Sequence, residues 1–125
     1  MDAVSLGPIG QISRSVDDIA AAEAWYRDVL GLRHLYTFGT LSFFECDGTR
    51  LFLSQGDGPV HEESILYFRV PDIERARADL GERGVVFTHE PQLIHTHEDG
   101  CQEWMAFFTD LEGRPLALME QRRPE

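Results

Sequence analysis

IGQISRSVDDIAAAEAWYRDVLG, residues 9–31, and ESILYFRVPDIERARADLGERG, residues 63–84, are two versions of one pattern. Val16-Asp17-Asp18-Ile19 matches Val70-Pro71-Asp72-Ile73 at an offset of 54 (72 − 18). Each copy runs from a short alternating apolar stretch into an Asp, then an amphipathic segment, then Gly. A carboxylate at that Asp can accept the orphan N–H groups that open a helix. Ile19, Ala22, Tyr26, Val29 and Leu30 make one helical stripe, and Ile73, Ala76 and Leu80 make the other. Gly31 and Gly84 suit the left-handed residue that closes each helix.

The repeat continues beyond the helices. FECDGTRLFLSQ (44–55) aligns with TDLEGRPLALME (109–120) at an offset of 65 (113 − 48). Each reads as strand, Gly turn, strand. The growth in offset puts an insertion in the second copy, within the polar, His-rich stretch HEPQLIHTHEDG (89–100). The pattern predicts strands at 8–15, 33–38, 41–46, 50–55, 64–70, 85–95, 102–109 and 115–120, with helices at 18–30 and 72–83. The turn-rich segment from Gln55 to Val60 joins the copies. The expected fold class is α+β, as two βαβββ modules (about 7–56 and 62–121) within one domain covering 1–125, since neither module buries its sheet alone.

Composition narrows the function classes. The 125 residues carry 22 acids against 11 bases, a net charge of −11. Such a chain repels phosphate backbones and anionic bilayers, so neither a nucleic acid nor a membrane is the expected partner. Every base is Arg; the absence of Lys suggests a GC-rich bacterial genome and excludes Schiff-base lysine chemistry. Cys46 and Cys101 are expected as free thiols of a reducing cytoplasm. Met1-Asp2-Ala3-Val4 has no basic, apolar leader character, and no apolar run approaches a membrane span.

SVDDIAAAEAWYRDVLGL (15–32), YFRVPDIERARADLGERGV (67–85) and WMAFFTDLEGRPLALME (104–120) resemble the vicinal oxygen chelate superfamily, which includes glyoxalase I, bleomycin-resistance proteins and extradiol dioxygenases. The resemblance implies two βαβββ modules whose curved sheets enclose one cavity, and a homodimer. In metal-using relatives it places one ligand on the first and last strand of each module. Those positions here are Gln11, Phe52, Ile65 and Ala117. Only Gln11 carries a donor atom, so no metal or other cofactor is expected at the inherited position.

What remains is an apolar, small-molecule pocket. Strand alternation gives its expected lining as Gln11, Ser13, Phe52, Ser54, Ile65, Tyr67, Ala117 and Met119. One pairing of the last hairpin adds Trp104, Ala106 and Phe108; a one-residue slip exchanges these for Met105 and Phe107. His95 and His97 share a strand face and, with His89, Glu90, Glu98 or Glu103, offer either a relocated metal site or an acid–base pair; a solvated hairpin tip is the simpler alternative. Glu103 is the matching carboxylate candidate, while His34 is expected to be structural or superficial. Two functions are consistent with these residues: sequestration of an aromatic or hydrophobic compound, or catalysis by a lyase, isomerase or dioxygenase-like enzyme using His95 or His97 with Gln11 or Glu103, around a relocated metal or as acid–base groups. A third is a structural dimer with its cavity filled by side chains.

Overall fold

A computed structural model describes residues 8–56 and 64–124. The chain divides into two compact units, Met1–His61 and Glu62–Glu125. The first contains β1 (Gln11–Val16), α1 (Ile19–Ala24), a π-helical turn (Trp25–Val29), β2 (Arg33–Phe38), β3 (Leu41–Cys46) and β4 (Thr49–Gln55). The second contains β5 (Tyr67–Arg69), α2 (Ile73–Glu82), β6 (Gln92–Thr96), β7 (Gln102–Thr109) and β8 (Pro115–Arg122). Their sheets have matching orders, β1-β4-β3-β2 and β5-β8-β7-β6, each with one parallel pair between its first and last strands. The class is α+β, built as βαβββ twice.

The same local physics starts both helices. Asp18 accepts from the Ala21 N–H and Asp72 from the Arg75 N–H, each at 3.1 Å. A second acceptor arrives from the end of the module's last strand. Gln55 Oε1 accepts from the Ile19 N–H at 2.7 Å, and Glu120 Oε1 accepts from the Ile73 N–H at 2.8 Å. Donors differ by 54 and acceptors by 65, the two offsets of the repeat. Helix and sheet are thus tied by one equivalent rung in each copy.

Each sheet covers itself with its own helix on one face only. In the first unit, Val16, Phe44, Leu51 and Leu53 are buried with Ala22 and Tyr26 of the helical segment. The Leu30 N–H reaches the Trp25 carbonyl at 3.1 Å, five residues back, which gives the segment its π-helical turn. Tyr26 there packs on Trp25 and Phe44, with ring centroids at 5.2 and 6.2 Å. In the second unit, Ile73 and Leu80 share the core with Ala106, Phe108, Leu116 and Leu118.

Turns set the register. Asp47 and Gly48 both have positive φ, 45° and 99°, in the two-residue loop closing Cys46 against Thr49. The longer loop at 110–114 is organised by Asp110, whose carboxylate accepts from the Glu112 and Arg114 N–H groups at 2.8 and 3.0 Å. That loop pairs Thr109 with Pro115 and hence Phe107 with Ala117.

Several expected elements are shorter. The strand predicted over 85–95 is split: Phe87 makes only an isolated bridge to Phe108, and β6 begins at Gln92, just after Pro91. The strand predicted over 64–70 is confined to Tyr67–Arg69, so Ile65 lies before it. The expected helix at 18–30 is α-helical only to Ala24. The expected link between copies lies largely outside the described residues, as does the Met1–Val4 segment. No helix among the described residues is long and apolar enough to cross a membrane.

Candidate functional site

The sheet faces turned away from the helices carry most of the candidate site residues. On the first sheet, paired positions place Gln11 with Arg50, Ser13 with Phe52, and Ser15 with Ser54 on one side. Phe52 lies opposite Phe43 and Phe43 opposite Tyr36. The three rings stack in a row across the strands, with centroids 5.2 Å apart for Phe43–Phe52 and 4.6 Å for Tyr36–Phe43. Arg50 extends over Phe43 at 5.9 Å. Tyr36 is 48% and Phe38 75% exposed, so the ladder ends in accessible aromatic surface.

Tyr36 joins this row because β2 is bulged. His34 pairs with Phe44, but Tyr36, not Leu35, pairs with Phe43. A bulge inserts one residue and re-aims the side chains beyond it. β6 repeats the device: Leu93 pairs with Trp104, Ile94 is passed over, and His95 pairs with Glu103. In an unbulged ladder Ile94 would face Glu103, and His95 would fall in line with Gln102 on the helix-covered side.

On the second sheet the open face therefore holds Tyr67, Arg69, Met105, Phe107, Ala117, Met119, Glu103, Gln121 and His95. Tyr67 meets Phe107 edge-on at 5.9 Å. His97 joins Glu103 through Nε2 and Oε2 at 2.8 Å, and Gln121 Nε2 donates to the same oxygen at 3.0 Å. The His95 and His97 rings are 4.6 Å apart. Hydrogen bonding from His97 is the main influence on the Glu103 carboxyl, holding it below the usual carboxylate range.

This corrects one expectation about the lining. Trp104, Ala106 and Phe108 lie on the helix-covered side with Glu120, Leu118 and Leu116, and the slipped set, Met105 and Phe107, occupies the Tyr67 face. The Asp110 loop decides the parity. Trp104 is instead capped by the Arg122 guanidinium at 4.3 Å and donates from Nε1 to Gln102 at 2.9 Å. Gln11, Ser13, Phe52 and Ser54 share a face as expected, and so do Tyr67, Ala117 and Met119. Alternation also missed Tyr36, since a bulge has no residue signature in β2; Phe43, in the regular β3, lies opposite Phe52.

Of the four positions at which the resemblance implies metal ligands, Gln11 alone has a donor; the side chains of Phe52, Ile65 and Ala117 are hydrocarbon. That set does not fit a divalent cation. Asp72, Glu74 and Glu120 bring carboxylates within 4.8 Å of one another. They are committed elsewhere: Glu120 to the Ile73 N–H and Arg122, Glu74 to Arg122, and Asp72 to the Arg75 N–H. Hydrogen bonds to Glu120 and then Glu74 push the Arg122 guanidinium pKa up from its already high ordinary value.

His34 faces the helix, within 3.2 Å of Glu23 and 2.9 Å of Thr37. Glu23 also accepts from Thr37 and, at 2.8 Å, from Ser42. The Thr37 hydroxyl is the main reason its carboxyl sits below the usual range. Burial, followed by Asp47 and Glu45, pushes the Cys46 thiol up, away from nucleophile character.

A sequence profile for the glyoxalase/bleomycin resistance protein/dioxygenase superfamily matches residues 8–118. No curated protein matches the chain significantly. Among solved structures, an integron cassette protein from the mobile metagenome of V. cholerae superposes with a TM-score of 0.76 at 16% identity, covering 95% of this chain and 98% of that one. A lactoylglutathione lyase from Agrobacterium tumefaciens gives 0.69 at 23%, covering 92% and 94%. A glyoxalase/bleomycin resistance protein/dioxygenase from Nocardioides gives 0.73 at 17%, covering 98% and 91%. At these identities the likeness is one of fold.

Proposed function

Since this chain belongs to the glyoxalase/bleomycin resistance protein/dioxygenase superfamily, we propose that it binds a small, flat, partly aromatic molecule on the open face of its first sheet, without a cation at the inherited position. The observation that carries this reading is the ladder Tyr36–Phe43–Phe52. The three rings stack on one another, and a planar guest extends the stack at its exposed end, Tyr36. Ser13, Ser54 and Gln11 on the same face supply hydroxyl and amide groups to orient it.

Each aromatic stacking contact contributes about 0.5–1.5 kcal/mol beyond area burial. Loss of one ring therefore weakens binding by up to about tenfold, because 1.4 kcal/mol is a factor of ten. The test is a thermal-shift screen of planar aromatic natural products, followed by titration of the hits against Tyr36→Ala. Hits that bind Tyr36→Ala as tightly as the parent refute the proposal, as does a screen with no hits.

A second reading has its own observation, the 2.8 Å pair of His97 and Glu103. An imidazole oriented by a carboxylate is an acid–base group for a lyase or isomerase. Glu103, bonded by both His97 and Gln121, orients; His97 carries the proton. Turnover of a screened substrate that disappears in His97→Ala favours this reading over sequestration.

A further inference from the structure

We infer that His95, His97 and Glu103 form a binding site for one divalent transition-metal ion, of the zinc class, on the open face of the second sheet. Two imidazoles and one carboxylate are a donor set that suits such an ion, with further positions left for water or a ligand. No inherited metal position takes part.

Backbone geometry puts the three on one face. The β6 bulge at Ile94 turns His95 to face Glu103 directly across the ladder. His97 comes two residues later and is fastened at both main-chain groups. Its N–H donates to the Cys101 carbonyl at 2.8 Å, and its carbonyl accepts from the Gly100 N–H at 2.9 Å. Gly100 has φ 91°, which lets the chain reverse there. Glu103 stands on β7 and is oriented by Gln121 from β8.

Two of the three donors already stand near the spacing an ion requires. Zinc bonds of about 2.0–2.2 Å in a tetrahedron separate two donor atoms by roughly 3.3 Å. Nε2 of His97 and Oε2 of Glu103 now stand at 2.8 Å, so a small opening admits the ion. The three donor atoms do not all lie within 4.8 Å of one another, so the exposed His95 ring, its centroid 4.6 Å from that of His97, must rotate to complete the set, a motion of the picosecond-to-nanosecond scale. Gln121 then keeps the carboxylate oriented, as outer hydrogen bonds do for metal ligands generally.

The inference stands apart from the aromatic ladder, and its test separates the two. The full chain, free of any polyhistidine tag, is titrated with Zn²⁺ against a chromophoric chelator and with Co²⁺ by visible absorption. One equivalent is expected to bind, with the absorption of a low-coordinate Co²⁺ site. His95→Ala, His97→Ala and Glu103→Gln are each expected to weaken binding at least tenfold. His89→Ala and Phe52→Ala are expected to bind as the parent does. Urea unfolding of each variant identifies any that fails to fold, in which case His97→Asn or Glu103→Ala replaces it. Absence of a stoichiometric ion overturns the inference; so does binding that survives all three substitutions or that depends on His89.

Discussion

Replacing Glu120 by Ala removes the acceptor that holds the buried Ile73 N–H from the strand side. Ile73 is fully buried and Glu120 is 8% exposed, so water does not substitute freely. An unsatisfied buried donor costs about 1–3 kcal/mol. Arg122 loses one partner but keeps Glu74, an exposed pair that contributes little. The expected loss is about 2 kcal/mol, which for a chain of this size corresponds to about 7 °C in Tm. Glu120→Gln behaves differently. Its amide oxygen can still accept from Ile73, as Gln55 already does for Ile19, so the expected cost is below about 1 kcal/mol. Urea titration followed by tryptophan fluorescence reads both variants, because Trp104 lies under Arg122 beside the altered residue. If Glu120→Gln costs as much as Glu120→Ala, charge pairing with Arg122 rather than the helix rung carries the energy. A loss below about 0.5 kcal/mol for Glu120→Ala refutes the rung altogether.

Three further outcomes are expected. Glu23 has a lower carboxyl pKa folded than unfolded, so its contribution is complete above the ordinary value of about 4.3 and drains away as pH falls through the folded value; Glu23→Gln should flatten the acid limb of a stability–pH curve, and an unchanged limb would show that Thr37, Ser42 and His34 do not act through it. Cys46, with its thiol pushed up, and Cys101, buried, should both alkylate more slowly at neutral pH than a free cysteine, measured by intact mass after iodoacetamide treatment; rapid labelling of either would contradict its environment. Asp72→Ala should cost about 1 kcal/mol by chemical unfolding through loss of the α2 cap, and no change would mean that Glu120 alone suffices to start the helix.

Much of the fold was legible because the repeat expresses itself in chemistry that leaves a residue signature. Asp18 and Asp72 announce helix starts, and Asp47-Gly48 announces a two-residue hairpin. The equivalence of Gln55 and Glu120 was present in the alignment, but its meaning needed the positions of the Ile19 and Ile73 N–H groups. The candidate faces were legible only where alternation holds. Ser13, Phe52 and Ser54 keep to the pleat, whereas His95 reaches the face of Glu103 through a bulge that the sequence does not mark. Trp104 fell on the other side because parity across β7 and β8 is decided by the hydrogen bonds of the Asp110 loop. Tyr36 was missed because nothing in RHLYTF marks where β2 departs from regular pleating, whereas Phe43 sits in the regular β3, directly opposite Phe52.

The extra residues Leu35 and Ile94 have a consequence for how this scaffold accepts changes in length. Each is a surplus unit already absorbed by its strand, so excising it should leave every downstream side chain pointing as before. Excising Thr96 instead would invert the tail of β6 and swing His97 away from its carboxylate. Among descendants of this chain, a gap at Leu35 or Ile94 is therefore the quiet edit, while a gap one or two steps further along rewrites which chemistry the sheet presents.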